Sequence, residues 1–315
     1  MSQEETQAIQ ALKDVAMEGI KEQRRARRWG IFFKLFFVIY MLVLLIALIG
    51  TGASDGKLTD ADEITAVVDI NGVIMDGALA SADMVIPSLK DAFEHKKTKG
   101  VILRCNSPGG SPVQSGIIND EIRRLKTEHK DIPVYAVISD LCASGGYYIA
   151  AAADEIYADK ASIVGSIGVR MDNFGAVELM EKLGVERRLY TAGANKGMLD
   201  PFLPENETQV QHVQKMLDTT HQQFIKVVKE GRGERLKENP DIFSGLFWTG
   251  EDAVNLGLID GLGSDAYVAR ELIKAEEMVN FTSEKDLLER ISERVESSVR
   301  LMMGSGDATP RTVLR

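Results

Sequence analysis

The stretch Asp140-Leu141-Cys142-Ala143-Ser144-Gly145-Gly146-Tyr147-Tyr148 is the part of the sequence that best indicates the fold. It follows an apolar, β-branched run over residues 134–139 and leads into an alanine-rich segment over residues 148–153. This order predicts a buried strand, a tight turn at Ser144 and a buried helix.

A serine at such a turn has two interpretations. The unpaired N–H groups and the dipole of a helix N-terminus favour developing negative charge, which suits a nucleophilic serine. The small neighbours Ala143, Gly145 and Gly146 would let a substrate approach closely. Alternatively, Ser144 only caps the helix that follows. The stretch by itself leaves both interpretations open.

The composition indicates a folded protein and gives little support to a structural zinc site. Of the 315 residues, 44% are hydrophobic and 27% are charged, and the net charge of −10 argues against nucleic acid as the main partner. Cys105 and Cys142 are too few for a disulfide scaffold, and each closes an apolar run, so we expect small buried residues rather than redox partners. The sequence leaves open whether the two cysteines pair with each other. Four scattered histidines make a zinc site improbable.

The N-terminal part of the sequence predicts a membrane anchor. Residues 31–50 are almost all apolar, with Lys34 near the start, and a helix of this length spans roughly 30 Å. The run is too long, and begins too far into the chain, for a cleaved signal peptide. The arginine cluster over residues 24–28 predicts a cytoplasmic arm over residues 1–30, so everything after Gly50 is expected outside the cytoplasm.

Alternating strands and helices follow a linker over residues 51–62. They predict an α/β domain over residues 63–280, with a parallel or mixed sheet covered on both faces. Leu89 and Phe93 are expected to face the core, and residues 281–315 are predicted to form an amphipathic helix and a tail. The predicted strands are 64–70, 100–104, 134–139, 155–158 and 162–169, and the predicted helices are 84–95, 114–129, 205–229 and 265–277.

A glycine-bearing turn, Asn106-Ser107-Pro108-Gly109-Gly110, directly follows the second predicted strand. Ligand sites in α/β sheets lie beyond the carboxyl ends of strands, where this turn and Ser144 would both emerge. An ordinary surface turn is the alternative, since Pro-Gly is common in turns. A phosphate-binding loop is excluded because no Gly-Lys-Ser/Thr follows.

A nucleophilic serine needs a base within hydrogen-bond reach. The four histidines, His95, His129, His212 and His221, all fall within or at the ends of charged helices, which gives a Ser-His-Asp triad little support. Lys196 lies in a loop of small residues beside apolar ones, and burial there would lower its pKa. Most loop lysines, however, are solvated surface groups.

Taken together, these motifs resemble the signal peptide peptidase A (SppA) type of serine protease, peptidase family S49, in its short, single-repeat, membrane-anchored form. The resemblance runs from about residue 64 to residue 276, and it depends on the order and spacing of motifs that are individually weak. The motifs are Asn106 to Gly110, Ala143 to Tyr148, Gly165-Ser166-Ile167-Gly168-Val169, Lys196 with Asp200-Pro201-Phe202, and Thr249-Gly250 through Gly257-Leu258-Ile259-Asp260.

The resemblance implies a fold and a set of site residues. The fold would be a crotonase/ClpP-like spiral of β-β-α units, preceded by one transmembrane helix. Ser144 would be the nucleophile, Lys196 its general base, and Ser166 the residue that orients the lysine. The oxyanion hole would come from the backbone N–H groups of Gly145 and of Gly109 or Gly110.

The resemblance also implies a function and partners. The protein would be a membrane-anchored serine endopeptidase that degrades remnant signal peptides or other membrane-derived peptides without a cofactor. It would form a homo-oligomeric ring that shares the site between subunits, at the inner (plasma) membrane with its catalytic domain on the periplasmic side. Two other functions stay open: a crotonase-type acyl-CoA enzyme, and a non-enzymatic, ring-forming membrane scaffold.

Overall fold

The computed structural model describes residues 3–50 and 61–283, and the chain divides into two compact units. The described part of the first unit is a single helix, and the second unit contains every described strand. Residues 51–60, within the predicted linker, lie outside the described residues. Residues 284–315 also lie outside them, and with them most of the predicted C-terminal helix.

The first unit contains helix α1 (Gln3–Gly50). The side chains of residues 31–44 are exposed, and the rings of Phe32, Phe36 and Tyr40 stack along the helix with centroids 6.4 Å apart. Within residues 3–50 and 61–283, no helix combines the length and the apolar character needed to cross a membrane. The anchor predicted over residues 31–50 is therefore not supported.

The second unit is built on an eight-stranded mixed sheet, which confirms the predicted α/β class. Its strands are β1 (Ile64–Asn71), β2 (Thr98–Ser107), β3 (Val134–Ala143), β4 (Glu155–Ala158), β5 (Ile163–Gly165), β6 (Phe247–Thr249), β7 (Gly261–Leu262) and β8 (Met278–Asn280). The main order is β6-β5-β3-β2-β1-β8, and β4 lies between β3 and β7. Only β5 and β6 pair antiparallel among these strands.

Helices cover both faces of the sheet, as predicted. The α-helices described in this unit are α2 (Ala82–Glu94), α3 (Pro112–Glu128), α4 (Gly145–Ala150), α5 (Val177–Leu183), α6 (Glu207–Arg232), α7 (Gly250–Asn255) and α8 (Asp265–Tyr267). Helix α5 buries no residue, and α8 continues as the π-helical Val268–Ile273. Leu89 and Phe93 are buried in the larger core, which confirms their predicted orientation. On the opposite face Val67 packs in a smaller cluster with Ile273.

Strand β3 extends further than the predicted 134–139 because it changes partner along its length. Its first half pairs with β4, and its last three residues pair with β5. Since β1, β2 and β3 are parallel, their carboxyl ends meet at one edge of the sheet. The Asn106–Gly110 turn and Ser144 therefore emerge side by side, as the sequence predicts.

The C-terminal end of α6 is fixed to the sheet by a buried ion pair. The Arg232 guanidinium is 1% exposed and donates to both carboxylate oxygens of Asp260, at 2.7 and 3.0 Å, and to the carbonyl of Gly257. Asp260 also accepts the backbone N–H of Ile156 in β4. Burial is the largest single influence on Asp260 and opposes its ionisation. The hydrogen bonds and charge of Arg232, the N–H of Ile156 and the charge of Arg235 together outweigh burial, so the pKa of the carboxyl group is lowered.

We expect Asp260→Asn to reduce the free energy of unfolding by about 3 kcal/mol near neutral pH, because it leaves the buried Arg232 charge unpaired. The pKa of Asp260 is lower in the folded state, so its contribution is complete above the unfolded value of about 4 and is lost as the pH falls through the folded value. The difference in free energy of unfolding between parent and variant should therefore be smaller at about pH 3 than near neutral pH. Urea unfolding at the two pH values measures it.

The matched control is Glu271→Gln, which removes an exposed ion pair with Arg270 and should change stability far less because water screens it. If the Asp260→Asn variant is as stable as the parent near neutral pH, the Arg232–Asp260 pair does not stabilise the fold as proposed.

Candidate active site

Ser144 lies in a strained turn between β3 and α4. Its backbone has φ 51° and ψ −121°, an unusual conformation for a residue with a side chain. The turn is held because the Ser144 N–H donates to the carbonyl of Gly165 at 2.8 Å, and the Ser144 carbonyl accepts from Tyr148 at 2.9 Å.

The side chain of Ser144 does not cap helix α4. Ser144 occupies the N-cap position of α4, but the capping interpretation has no side-chain hydrogen bond to support it. Within the part of the chain that the structure describes, the Ser144 hydroxyl makes no hydrogen bond. A strained strand-to-helix turn that exposes a serine hydroxyl is also the arrangement of nucleophilic serines in α/β-hydrolases.

The glycine turn after β2 is fixed to residues 72–74 by a set of short hydrogen bonds. The Ser107 hydroxyl donates to the Gly72 carbonyl at 2.6 Å and accepts the Gly109 N–H at 3.1 Å. The Gly109 carbonyl accepts from Ile74 at 2.9 Å, and the Ser111 N–H donates to the Ile74 carbonyl at 2.7 Å. The N–H groups of Gly109 and Ser111 are thus both occupied.

Two backbone donors beside Ser144 are left without an acceptor. Among the described residues, the N–H groups of Gly110 and Gly145 donate to no protein atom. They lie close together, since a Cβ placed on Gly145 would be 3.2 Å from the Gly110 nitrogen. Of the two glycines that the sequence offered as partner to Gly145, the geometry favours Gly110, because the Gly109 N–H is bound to Ser107.

Gly109 packs against the Ser144 turn and Gly110 packs against the backbone of Ile74, both without space for a side chain. A Cβ on Gly109 would be 2.6 Å from the Ser144 Cβ, and one on Gly110 would be 2.0 Å from the Ile74 carbonyl oxygen. Both residues also have positive φ, at 97° and 153°. Only glycine satisfies the space and the backbone conformation at these positions.

A small cleft of about 40 Å³ opens beside Ser144, Gly110 and Gly145. The ring centroids of Tyr148 and Phe224 lie 5.1 Å apart in its wall. Other lining residues are Pro112, Gly168, Thr220 and Gln223. A larger cavity of about 460 Å³ lies within residues 173–210 and shares no lining residue with this cleft.

Ser166 lies at the same edge of the sheet as Ser144. It directly follows Gly165, which accepts the Ser144 N–H, and its own N–H donates to the Leu246 carbonyl at 2.8 Å. Its φ of 51° is also strained, and the residue is half-buried. The structure therefore brings Ser166 together with Ser144 and the three predicted glycines.

Lys196 does not join this group in the single chain. The residue is exposed in a turn, does not line the Ser144 cleft, and its backbone N–H donates to Gly193 at 3.1 Å. Within residues 3–50 and 61–283, its ammonium group has no hydrogen-bond or ion-pair partner. Its own chain therefore leaves Lys196 in contact with solvent.

The loop that carries Lys196 is nevertheless ordered by Asp200. This carboxylate accepts the backbone N–H of Phe202 at 3.0 Å and both an Nε–H and an Nη–H of Arg187 at 3.2 and 3.0 Å. The bond from Phe202, together with Arg187, keeps the pKa of Asp200 below its ordinary value. Lys196 is therefore presented to solvent on a braced loop.

The structure decides whether the two cysteines pair, which the sequence leaves open. Cys105 and Cys142 are buried, as expected, but they form a disulfide with their Cα atoms 5.7 Å apart. The pairing depends on β2 and β3 being neighbours in the sheet, which the spacing in the sequence does not reveal.

Sequence reasoning also missed residues that support the site. Ser107 holds Gly109, and the only signal for it was its place inside the glycine turn. Tyr147 is fully buried and donates to the Leu258 carbonyl at 2.6 Å, which fixes α4. The sequence gives His221 little support as a base. Its Nε2 atom lies 3.2 Å from the Ile167 carbonyl oxygen, and because a carbonyl oxygen only accepts hydrogen bonds, Nε2 is the donor.

No group of three or more His, Cys, Asp or Glu side chains in the described chain could hold a metal ion.

Comparison with known proteins identifies the family. The model of "Peptidase family S49" matches residues 126–279. A "Putative protease" of Methanocaldococcus jannaschii is 33% identical over 259 residues, which cover 76% of this chain and 82% of the relative. The "Putative signal peptide peptidase SppA" of Enterococcus faecium is 33% identical over 239 residues, 73% of this chain and 67% of the relative. The chain belongs to peptidase family S49.

A third relative of this S49 member has a different name. It is the "Na(+)/H(+) antiporter NhaA" of Brucella abortus, which is 50% identical over 202 residues. The match covers 62% of this chain but only 27% of the relative, so the chain spans about a quarter of that protein's length.

We expect Gly109→Ala to slow the reaction of Ser144 with a fluorophosphonate probe at least about 100-fold, the typical cost of losing one oxyanion donor. The added methyl group would push apart the two turns that carry the free N–H groups. The rate of covalent labelling, followed by intact-protein mass spectrometry, measures the effect.

The matched control is Gly233→Ala. It has the same kind of positive φ, 54°, but nothing within 4 Å of the added methyl group. Similar labelling rates for the two variants would show that backbone strain alone, and not the contact with Ser144, explains the requirement for glycine.

Proposed function

We propose that this S49 family member is a serine endopeptidase in which Ser144 is the nucleophile. The observation that carries the proposal is the strained turn that exposes the Ser144 hydroxyl beside two unpaired backbone N–H groups, those of Gly110 and Gly145. Such a pair of donors suits the negative oxygen that forms when a serine attacks a carbonyl group.

The reaction follows from this arrangement. The Ser144 oxygen attacks the carbonyl carbon of a peptide, and its proton passes to a neutral lysine amine. Gly110 and Gly145 stabilise the oxyanion of the tetrahedral intermediate, and the protonated amine gives its proton to the leaving nitrogen. Water activated by the same amine then hydrolyses the acyl-enzyme.

Lys196 is the base in this proposal, and Ser166 orients it. Because Lys196 is exposed in its own chain, the proposal includes a second subunit whose Ser144 meets this lysine. Contact with a neighbouring subunit would remove water from the ammonium group, which lowers the pKa of a lysine. Such a site would become active only on assembly.

Exposed apolar side chains in the segment that carries Lys196 support this assembly. Phe174 is 83% exposed and Tyr190 is 89% exposed, and Leu183 is exposed as well. Large apolar groups gathered in one surface segment are typical of surfaces that another protein covers. A homo-oligomeric ring would cover them and bring Lys196 to Ser144 at the same time.

The substrates and the location are also part of the proposal. Remnant signal peptides suit a relative of a protein named signal peptide peptidase. The Cys105–Cys142 disulfide supports a peptidase domain outside the cytoplasm, on the periplasmic side, because disulfides persist in oxidising compartments. Attachment to the inner membrane through residues 31–50 stays a prediction of the sequence alone.

We expect Ser144→Ala and Lys196→Ala each to reduce cleavage of an unfolded apolar peptide at least about 1,000-fold, because nucleophile and base act as a unit. The measurement is kcat/KM for the full chain by fluorescence release. Lys215→Ala, which removes an exposed lysine on α6, is the control and should keep the activity of the parent. Full activity of the Lys196→Ala variant would contradict the assignment of Lys196 as the base for Ser144.

We further expect that mixing Ser144→Ala with Lys196→Ala subunits restores part of the cleavage. In a mixed assembly, some sites combine an intact Ser144 from one subunit with an intact Lys196 from its neighbour. The two variants are unfolded together, refolded and assayed against each variant refolded alone. If the mixture assembles and stays as inactive as its components, serine and lysine act within one chain.

A further inference from the structure

The disulfide lies between the two turns that form the candidate oxyanion hole. Cys105 is 1% exposed in β2, four residues before Gly109, and Cys142 is fully buried in β3, two residues before Ser144. The disulfide therefore joins the two strands a few residues before the turns that carry the Gly110 and Gly145 N–H groups.

Hydrogen bonding between these strands is irregular at this point. The parallel register runs from Val101 opposite Val134 to Cys105 opposite Ile138, and it resumes with Ser107 opposite Cys142. Strand β2 thus advances two residues while β3 advances four. The ladder is therefore interrupted just before the strand ends and resumes only at the pair Ser107 and Cys142, and the disulfide spans the interruption.

The first turn of α4 packs directly on the disulfide. A Cβ on Gly146 would be 3.3 Å from the Cys105 sulfur and 3.2 Å from the Ser107 carbonyl oxygen. Gly146 follows Gly145, so the position of the sulfur limits how close the Gly145 N–H comes to the turn after β2. Any shift between the ends of β2 and β3 would therefore also move the Gly145 N–H group.

We propose that the Cys105–Cys142 disulfide is a positioning crosslink for the oxyanion hole, one that sets the separation of the Gly110 and Gly145 N–H groups. This inference rests on the proposed function. It goes beyond stabilising the fold: without the bond, the peptidase domain stays folded while acylation of Ser144 slows.

The experiment compares the parent full chain with the double variant Cys105→Ala/Cys142→Ala, which leaves no free thiol. We expect the rate of Ser144 labelling by a fluorophosphonate, and kcat for peptide cleavage, to fall about 10- to 100-fold, because small displacements of catalytic groups have effects of this size. KM should stay within about twofold, because the oxyanion hole stabilises the transition state rather than the bound substrate.

A matched control separates positioning from stability. Ile273→Ala removes a buried side chain that packs on Gly100, at the opposite end of β2 from the glycine turn. All proteins are assayed well below their melting temperatures, with folding checked by circular dichroism. The control should lose thermal stability but keep the labelling rate of the parent.

A second measurement does not depend on the double variant folding. The parent is reduced with dithiothreitol, whose two thiols are oxidised as Cys105 and Cys142 become thiols, and alkylation under denaturing conditions counts the thiols formed. The labelling rate of the reduced protein should fall by the same factor as that of the double variant, and reoxidation should restore the rate of the parent.

The outcomes are distinguishable. A double variant, or a reduced parent, that is labelled as fast as the oxidised parent overturns the inference and leaves the proposed function standing. Equal losses of rate in the double variant and in Ile273→Ala also overturn it, because general destabilisation would then explain the effect. A folded, assembled parent that is labelled no faster than Ser144→Ala overturns the proposed function and the inference with it.

Discussion

The close approach of two glycine-bearing turns is the constraint on which the site depends. Gly109 lies so near Ser144 that a single methyl group would be 2.6 Å from the serine Cβ. This contact is possible only because β2 and β3 are parallel neighbours whose carboxyl ends open at the same edge of the sheet. Strain at Ser144 persists because hydrogen bonds from both sides determine its backbone.

The elements behind the turns hold this geometry from several directions. Ser107 ties the first turn to Gly72, and Tyr147 ties α4 to the Leu258 carbonyl. The buried Arg232–Asp260 pair fixes the far end of α6, whose Phe224 lines the cleft. The disulfide adds a covalent link at the point where the strand ladder is interrupted. A polar site at the edge of a sheet is thus supported by buried contacts on each side.

The chain places the candidate nucleophile beside the candidate oxyanion donors but leaves the candidate base in solvent. Lys196 is held on a loop braced by Asp200 and Arg187, which orders the loop without burying the lysine. A neutral lysine needs removal from water, and a neighbouring subunit could provide it. In this proposal, assembly itself is the step that activates the peptidase, so an isolated chain would do no damage to proteins around it.

The sequence determined the local features of this protein and indicated the candidate residues of its site. Alternating apolar runs and helical segments were sufficient for the α/β class, and the two glycine turns at strand ends identified Ser144 and its neighbours, because turns and buried strands depend on residues close in the chain. Only the tertiary structure decided that Cys105 and Cys142 pair, that Gly110 rather than Gly109 keeps a free N–H, and that Lys196 stays exposed. Each of these depends on which strands and loops become neighbours, and contacts between residues distant in sequence are set by packing of the whole domain.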